Sequence, residues 1–169
     1  QGETLAALQS LGLQEDRVYF LGYPDRGTPA LWNEYWLRSK PYRSPYSNAT
    51  QSPYERTYNP QSVYAGEDLL HDLMAIIRSY QPDLLIYPYP DDVHPDHWGL
   101  SAFTRLALAW VRRDLPDYHP GEMTYLVHRP DFPYPKGLHL EEGLFPPNAL
   151  FVIDPNWYQL GLEPDEVAN

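Results

Sequence analysis

Leu84-Leu85-Ile86-Tyr87-Pro88-Tyr89-Pro90-Asp91-Asp92-Val93-His94-Pro95-Asp96-His97 is the stretch on which the fold turns. Leu84 to Tyr87 is a short unbroken apolar run, the pattern of a strand buried on both faces. Pro88 to Val93 reads as a loop. A helix is expected from about His97 to Arg113, with Leu100, Phe103, Leu106, Ala107 and Trp110 on its buried side. On the other flank, Glu67 to Tyr80 carries Leu69, Leu70, Leu73, Ile76, Ile77 and Tyr80 on one helical stripe, and Gln81-Pro82-Asp83 ends it.

Further out the signals alternate. Thr4 to Leu11 has apolar residues at 5, 8 and 11, with Gly12 where a helix C-cap belongs. Arg17 to Tyr23 is rich in β-formers and reads as a strand, broken by Pro24-Asp25-Arg26-Gly27. Thr28 to Ala65 is rich in Tyr, Trp and Pro and shows no period, too long for an idle connection in a compact domain. Met123 to His128 and Ala149 to Ile153 read as two more strands, and a helix is expected to begin near Asp165. Strands alternating with helices predict an α/β fold with a largely parallel sheet.

A chain of 169 residues suits one domain with a hydrophobic core. No apolar run approaches the roughly 18–20 residues needed to span a bilayer. The net charge of −11 argues against nucleic acid or an anionic membrane as partner, because phosphates repel such a surface. With no cysteine, any metal must be held by His, Asp or Glu. Both ends read as cut, since Gln1 leads straight into a helical pattern and Asn169 stops where another begins. The expected unit is a single truncated domain over residues 1–169, with 28–65 as a long aromatic and Pro-rich insertion. Localisation is left open, and a homo-oligomer is compatible with the composition.

The chemistry concentrates between the Leu84 strand and the next helix, outside the carboxyl end of a strand, where open α/β sheets bind ligands. His94 and His97 are three residues apart, so in a first helical turn their rings can face one side. Asp96 can cap the helix or fix a histidine tautomer. Two imidazoles and a carboxylate make half of a hydrolytic metal site, because a catalytic zinc takes three protein ligands and an open position. His71, His119, His128 and His139 form no second motif with ligand spacing. Spacing alone also admits a Pro-stiffened capping loop with no metal.

ETLAALQSLGL from Glu3, YFLGYPDRG from Tyr19 and IIRSYQPDLLIYPYPDDVHPDHWGLSAFTRLAL from Ile76 together resemble the LmbE/PIG-L deacetylases. Three motifs in the family's order and spacing carry the resemblance, which runs from Glu3 to about Val111. It implies a Rossmann-like three-layer fold and a zinc-dependent hydrolase that removes an acetyl group from an N-acetylglucosamine-type sugar. By the same resemblance His97 is the metal ligand, His94 faces the substrate carbonyl, Asp96 is its positioning partner and Asp25 lines the sugar site. Another divalent metal could replace Zn2+. The remaining zinc ligands and the general base belong, in the family, to an N-terminal strand ending in Ala-His-Pro-Asp-Asp that this sequence does not contain. Some members carry a tyrosine where this chain has Asp92, so that tyrosine's role does not transfer.

Two other readings compete. One is a carbohydrate-binding or scaffold protein that kept the fold and lost the metal. Another is a nucleotide-binding domain, disfavoured because no Gly-rich phosphate loop follows any strand. For the rings between Thr28 and Ala65, packing against the body of the domain is favoured over a saccharide platform. His128 reads as a structural histidine on its strand.

Overall fold

The computed structural model describes residues 1–130 together with Lys136, Pro147 and Leu150. Gln1–Tyr125 form one compact unit and Leu126–Asn169 another, and the helices and strands described below belong to the first. The expected strand at Ala149 to Ile153, Leu150 apart, and the expected helix start at Asp165 lie outside the described residues, as does His139.

Three helices make the core. α1 (Gly2–Ser10) lies at the amino end and buries only Leu5. α2 (Thr28–Asn33) is short and buries Leu31 and Thr28. α3 (Gly66–Tyr80) ends where Gln81 turns left-handed, sends its N–H to the Ile77 carbonyl and is followed by Pro82. α4 (Pro95–Asp114) starts with proline at its first position, where the missing N–H costs nothing. Phe103, Ala107 and Val111 of α4 are fully buried against Leu69, Leu70, Met74 and Ile77 of α3 and Leu31 of α2. Each large side chain buried this way contributes about 1.5–3 kcal/mol.

The apolar face of α4 is rotated from the one expected. Trp110 is 40% exposed, with the Arg113 guanidinium 4.5 Å over its ring, while Leu108 and Val111 point inward. The reason is that α4 packs on α3 with one flank and on the sheet with another, so its buried arc turns toward the sheet. Tyr80, at the end of the α3 stripe, also lies in solvent.

β1 (Leu84–Pro88) pairs in parallel with β2 (Gly121–Tyr125), Leu84 opposite Gly121 and Pro88 opposite Tyr125. A parallel pair joined through a helix is an α/β arrangement. Burial of β1 on both faces is not observed: Tyr87 is buried, but Leu84 is 45% and Ile86 61% exposed. Among the described residues the sheet has two strands, and α4 covers one face only. β2 stops at Tyr125, short of His128, which is exposed.

The strand expected at Arg17 to Tyr23 is likewise absent. Arg17 closes a 3-10 turn, and the residues after it are extended without a ladder. Their neighbour is an irregular segment: Tyr58 donates its N–H to the Phe20 carbonyl at 2.8 Å, and Tyr23 donates its hydroxyl to Asp72 at 3.0 Å. β-propensity without a partner strand gives extended chain, not sheet.

The long 28–65 stretch is ordered by α3 and α4. Asp72, buried, also accepts from Asn59 Nδ2 and Ser62 Oγ at 3.0 Å each. Asp68, buried too, accepts the Val63 N–H at 2.7 Å and pairs with Arg38 at 3.1 Å. Trp36 stacks on Phe103 with ring centres 5.9 Å apart. Trp32, Tyr35, Trp36 and Tyr42 pack on the helical core, while Tyr46 and Tyr54 face solvent.

One glycine sets the distance between α2 and α4. A Cβ on Gly99 would stand 2.6 Å from the Thr28 Cβ and closer still to its hydroxyl. Gly99→Ala is expected to lose about 1–3 kcal/mol to overpacking, more than the about 1 kcal/mol that alanine returns as a helix former. A urea midpoint equal to or above that of the parent chain means that α2 yields freely and the contact sets nothing.

Candidate functional site

Past β1 the chain stays beside β2, because Tyr89 donates its N–H to the Tyr125 carbonyl at 2.8 Å. Asp92 then turns back with its own N–H on the Tyr89 carbonyl, and its carboxylate is buried. One oxygen of Asp92 accepts the His94 N–H at 2.9 Å, and the other lies 3.0 Å from His97 Nδ1. The 3.0 Å approach is off the line of a ring N–H, so it acts through charge: a carboxylate this close favours the proton on Nδ1 and leaves the lone pair on Nε2.

His94 caps α4 in an extended conformation, and its Nδ1 accepts the Asp96 N–H at 3.2 Å. A ring that accepts at Nδ1 carries its proton on Nε2. The two imidazole centres stand 5.0 Å apart.

Asp96 meets His94 through its backbone N–H, while its carboxylate reaches the turn before α2. There it accepts the Arg26 N–H at 2.6 Å, the Thr28 N–H at 3.2 Å and the Thr28 hydroxyl at 2.9 Å. Gly27 closes that turn on the Pro24 carbonyl, and Arg26 sits in the left-handed region at φ 56°. A non-glycine residue held there stores strain that its surroundings must offset.

The turn delivers Asp25 to the same place. Asp25, His94 and Asp96 each present a ligand atom, and these atoms all lie within 4.8 Å of one another. Carboxylate oxygens with an imidazole beside them suit a borderline or hard divalent cation, so the residues fit a metal, the imidazole lone pair coming from His97 and not from the Nε2-protonated His94. His97 lies beside this group, turned toward Asp92. Tyr125 closes the far side with its ring 6.2 Å from that of His97. Its phenol is pushed above the ordinary range by burial and, second, by the charge of Asp92.

Of the residues expected from sequence, Asp25, His94 and Asp96 are brought together, and His97 adjoins them. Two contributors escaped sequence reasoning. Asp92 was visible only as a departure from the family pattern, and Thr28 carried no signal beyond its place after a Gly-containing turn. His71 and His119 are exposed and away from the cluster. Among the described residues no helix is long and apolar enough to cross a membrane.

The family model described as GlcNAc-PI de-N-acetylase, PIG-L, matches residues 1–108, which include Asp25, Thr28, Asp92, His94, Asp96 and His97.

Asp92→Asn tests the histidine arrangement directly. An amide donor facing Nδ1 drives the His97 proton to Nε2, a change read in imidazole 15N shifts. Losing such a partner typically costs 10–100-fold in metal affinity. An unchanged tautomer in the variant shows that Asp92 does not orient the ring.

Proposed function

Because the chain belongs to the PIG-L family, we propose that it is a zinc-dependent hydrolase removing the acetyl group from an N-acetylglucosamine-type substrate. Its frame on this reading is a single domain of the Rossmann-like three-layer kind, with 28–65 as an insertion and β1 at the site's floor. The observation that carries the proposal is the convergence of Asp25, His94 and Asp96 at the carboxyl end of β1, with His97 beside them.

A divalent cation would be held by His97, whose ring Asp92 orients, and Asp25 would line the sugar site. A bound divalent cation supplies Lewis acidity, lowering the pKa of bound water and polarising a carbonyl. The reaction adds water to the acetamide carbonyl and breaks the C–N bond, releasing acetate and the amine. His94 Nε2–H donates to the oxygen on which negative charge develops, and the Asp96 N–H on Nδ1 holds the ring to that task. The Asp96 carboxylate keeps the 24–28 turn, and with it Asp25, against the head of α4.

Two variants, made in a full-length protein that also carries the family's Ala-His-Pro-Asp-Asp strand, separate the roles. His94→Ala is expected to retain zinc and lose about 10²–10³ in turnover, as removal of one oxyanion donor does. For His97→Ala, elemental analysis is expected to find the metal content reduced. The reverse pattern, metal lost with His94→Ala and kept with His97→Ala, moves the cation onto the Asp25–His94–Asp96 group. Near-normal acetate release by both variants sinks the proposal.

A further inference from the structure

One residue past His97, the first turn of α4 carries a tryptophan that the fold leaves partly uncovered. Trp98 is 36% exposed, and four residues after His94 it shares that residue's side of the helix. Its N–H is bonded to the His94 carbonyl at 3.2 Å.

The ring is held firmly. Trp32 meets it at 6.5 Å and 77°. Trp32 in turn meets Phe103 at 5.0 Å and 85°, and Trp36 at 5.8 Å and 87°. Phe103 is fully buried, so a run of aromatic contacts leads from the core to the surface and ends on the first turn of α4, which also carries Asp96 and His97. The anchoring helices are the same two that Gly99 and Thr28 press together, and Thr28 also holds Asp96. Ring and carboxylate are therefore positioned by one contact.

The other exposed tryptophan of α4 differs. Trp110 has the Arg113 guanidinium over its ring, whereas among the described residues no cation covers Trp98. A rigid aromatic surface left open next to a polar cluster is what a ligand with one apolar face and polar edges requires.

We propose that Trp98 is the stacking wall of the substrate site, receiving the C–H face of a pyranose ring while the polar cluster takes its acetamide. It thereby selects cyclic N-acetylated sugars over acyclic acetamides. This rests on the sugar substrate proposed above.

The test is binding to the full zinc-loaded chain, with N-acetylglucosamine and the acyclic N-acetylethanolamine as probes in calorimetric titrations. Trp98→Ala is expected to reduce the preference for the sugar about tenfold, and Trp98→Phe, which keeps a ring, to restore most of it. In the wild-type chain the Trp98 indole N–H resonance is expected to shift as N-acetylglucosamine is added, a readout that stands even if the alanine variant fails to fold. An unshifted resonance, a chain that binds no sugar, or a preference unaltered by Trp98→Ala overturns the wall. The two readings fail separately. Sugar binding that depends on Trp98 without acetate release removes the hydrolase and keeps the wall, whereas acetate release with an unaltered preference does the opposite.

Discussion

The carboxylate of Asp96 joins two segments that are 70 residues apart in sequence. It takes two backbone N–H groups and one hydroxyl from residues 26–28, and hydrogen bonds to a charged acceptor each contribute about 1.5–3 kcal/mol. Much else depends on this clasp. The left-handed Arg26 has its N–H committed to it, and α2 begins at the residue that completes it. Asp25, at the exposed tip of the turn, stays within reach of His94 because its neighbour is tied to the head of α4. The close approach of Gly99 to Thr28 is the packing counterpart of the same contact, so polar and steric terms define one geometry.

Buried acids recur through the unit, and neutral donors satisfy most of them. Asp72 is met by a phenol, an amide and a hydroxyl. Asp92 takes a backbone N–H and faces an imidazole. Asp68 has a guanidinium, from an Arg38 half in solvent. Neutral dipoles hold a carboxylate in place without cancelling its charge. In a chain of net charge −11, the region around His94 and His97 thus collects three carboxylates, Asp25, Asp92 and Asp96. Such a place draws a cation.

What was legible in the sequence follows the range of each signal. The α3 and α4 patterns repeat over four turns or more, and both helices lie where that period puts them. Arg17 to Tyr23 had the composition of a strand, but a strand is made by its neighbour, and composition carries no word of that neighbour. The same holds for Leu84 and Ile86, whose exposure follows from which layers cover the sheet. At the site, the HPDH spacing announced the histidines and Asp96, and the motif at Tyr19 to Gly27 announced Asp25. The link between them, from Thr28 to Asp96, crosses the whole aromatic stretch and has no local trace. Asp92 was in plain view, yet its role appears only once the turn after β1 folds it against the His94 N–H and the His97 ring.

That turn gives two chemically identical side chains opposite characters. His94 and His97 lie in one helical turn with ring centres 5.0 Å apart, and nothing in their types distinguishes them. The Nδ1 of His94 meets a backbone donor, so its outer nitrogen carries the proton. The Nδ1 of His97 lies 3.0 Å from a carboxylate oxygen, whose charge favours the proton there and the lone pair on the outer nitrogen. Pro95 stiffens the start of the helix between them and keeps each ring with its own partner. A hydrogen-bond donor and a metal-competent acceptor thus arise side by side from one short motif. Amide hydrolysis needs that pair of characters: a lone pair to hold a Lewis acid, and a proton aimed at the oxygen that becomes negative.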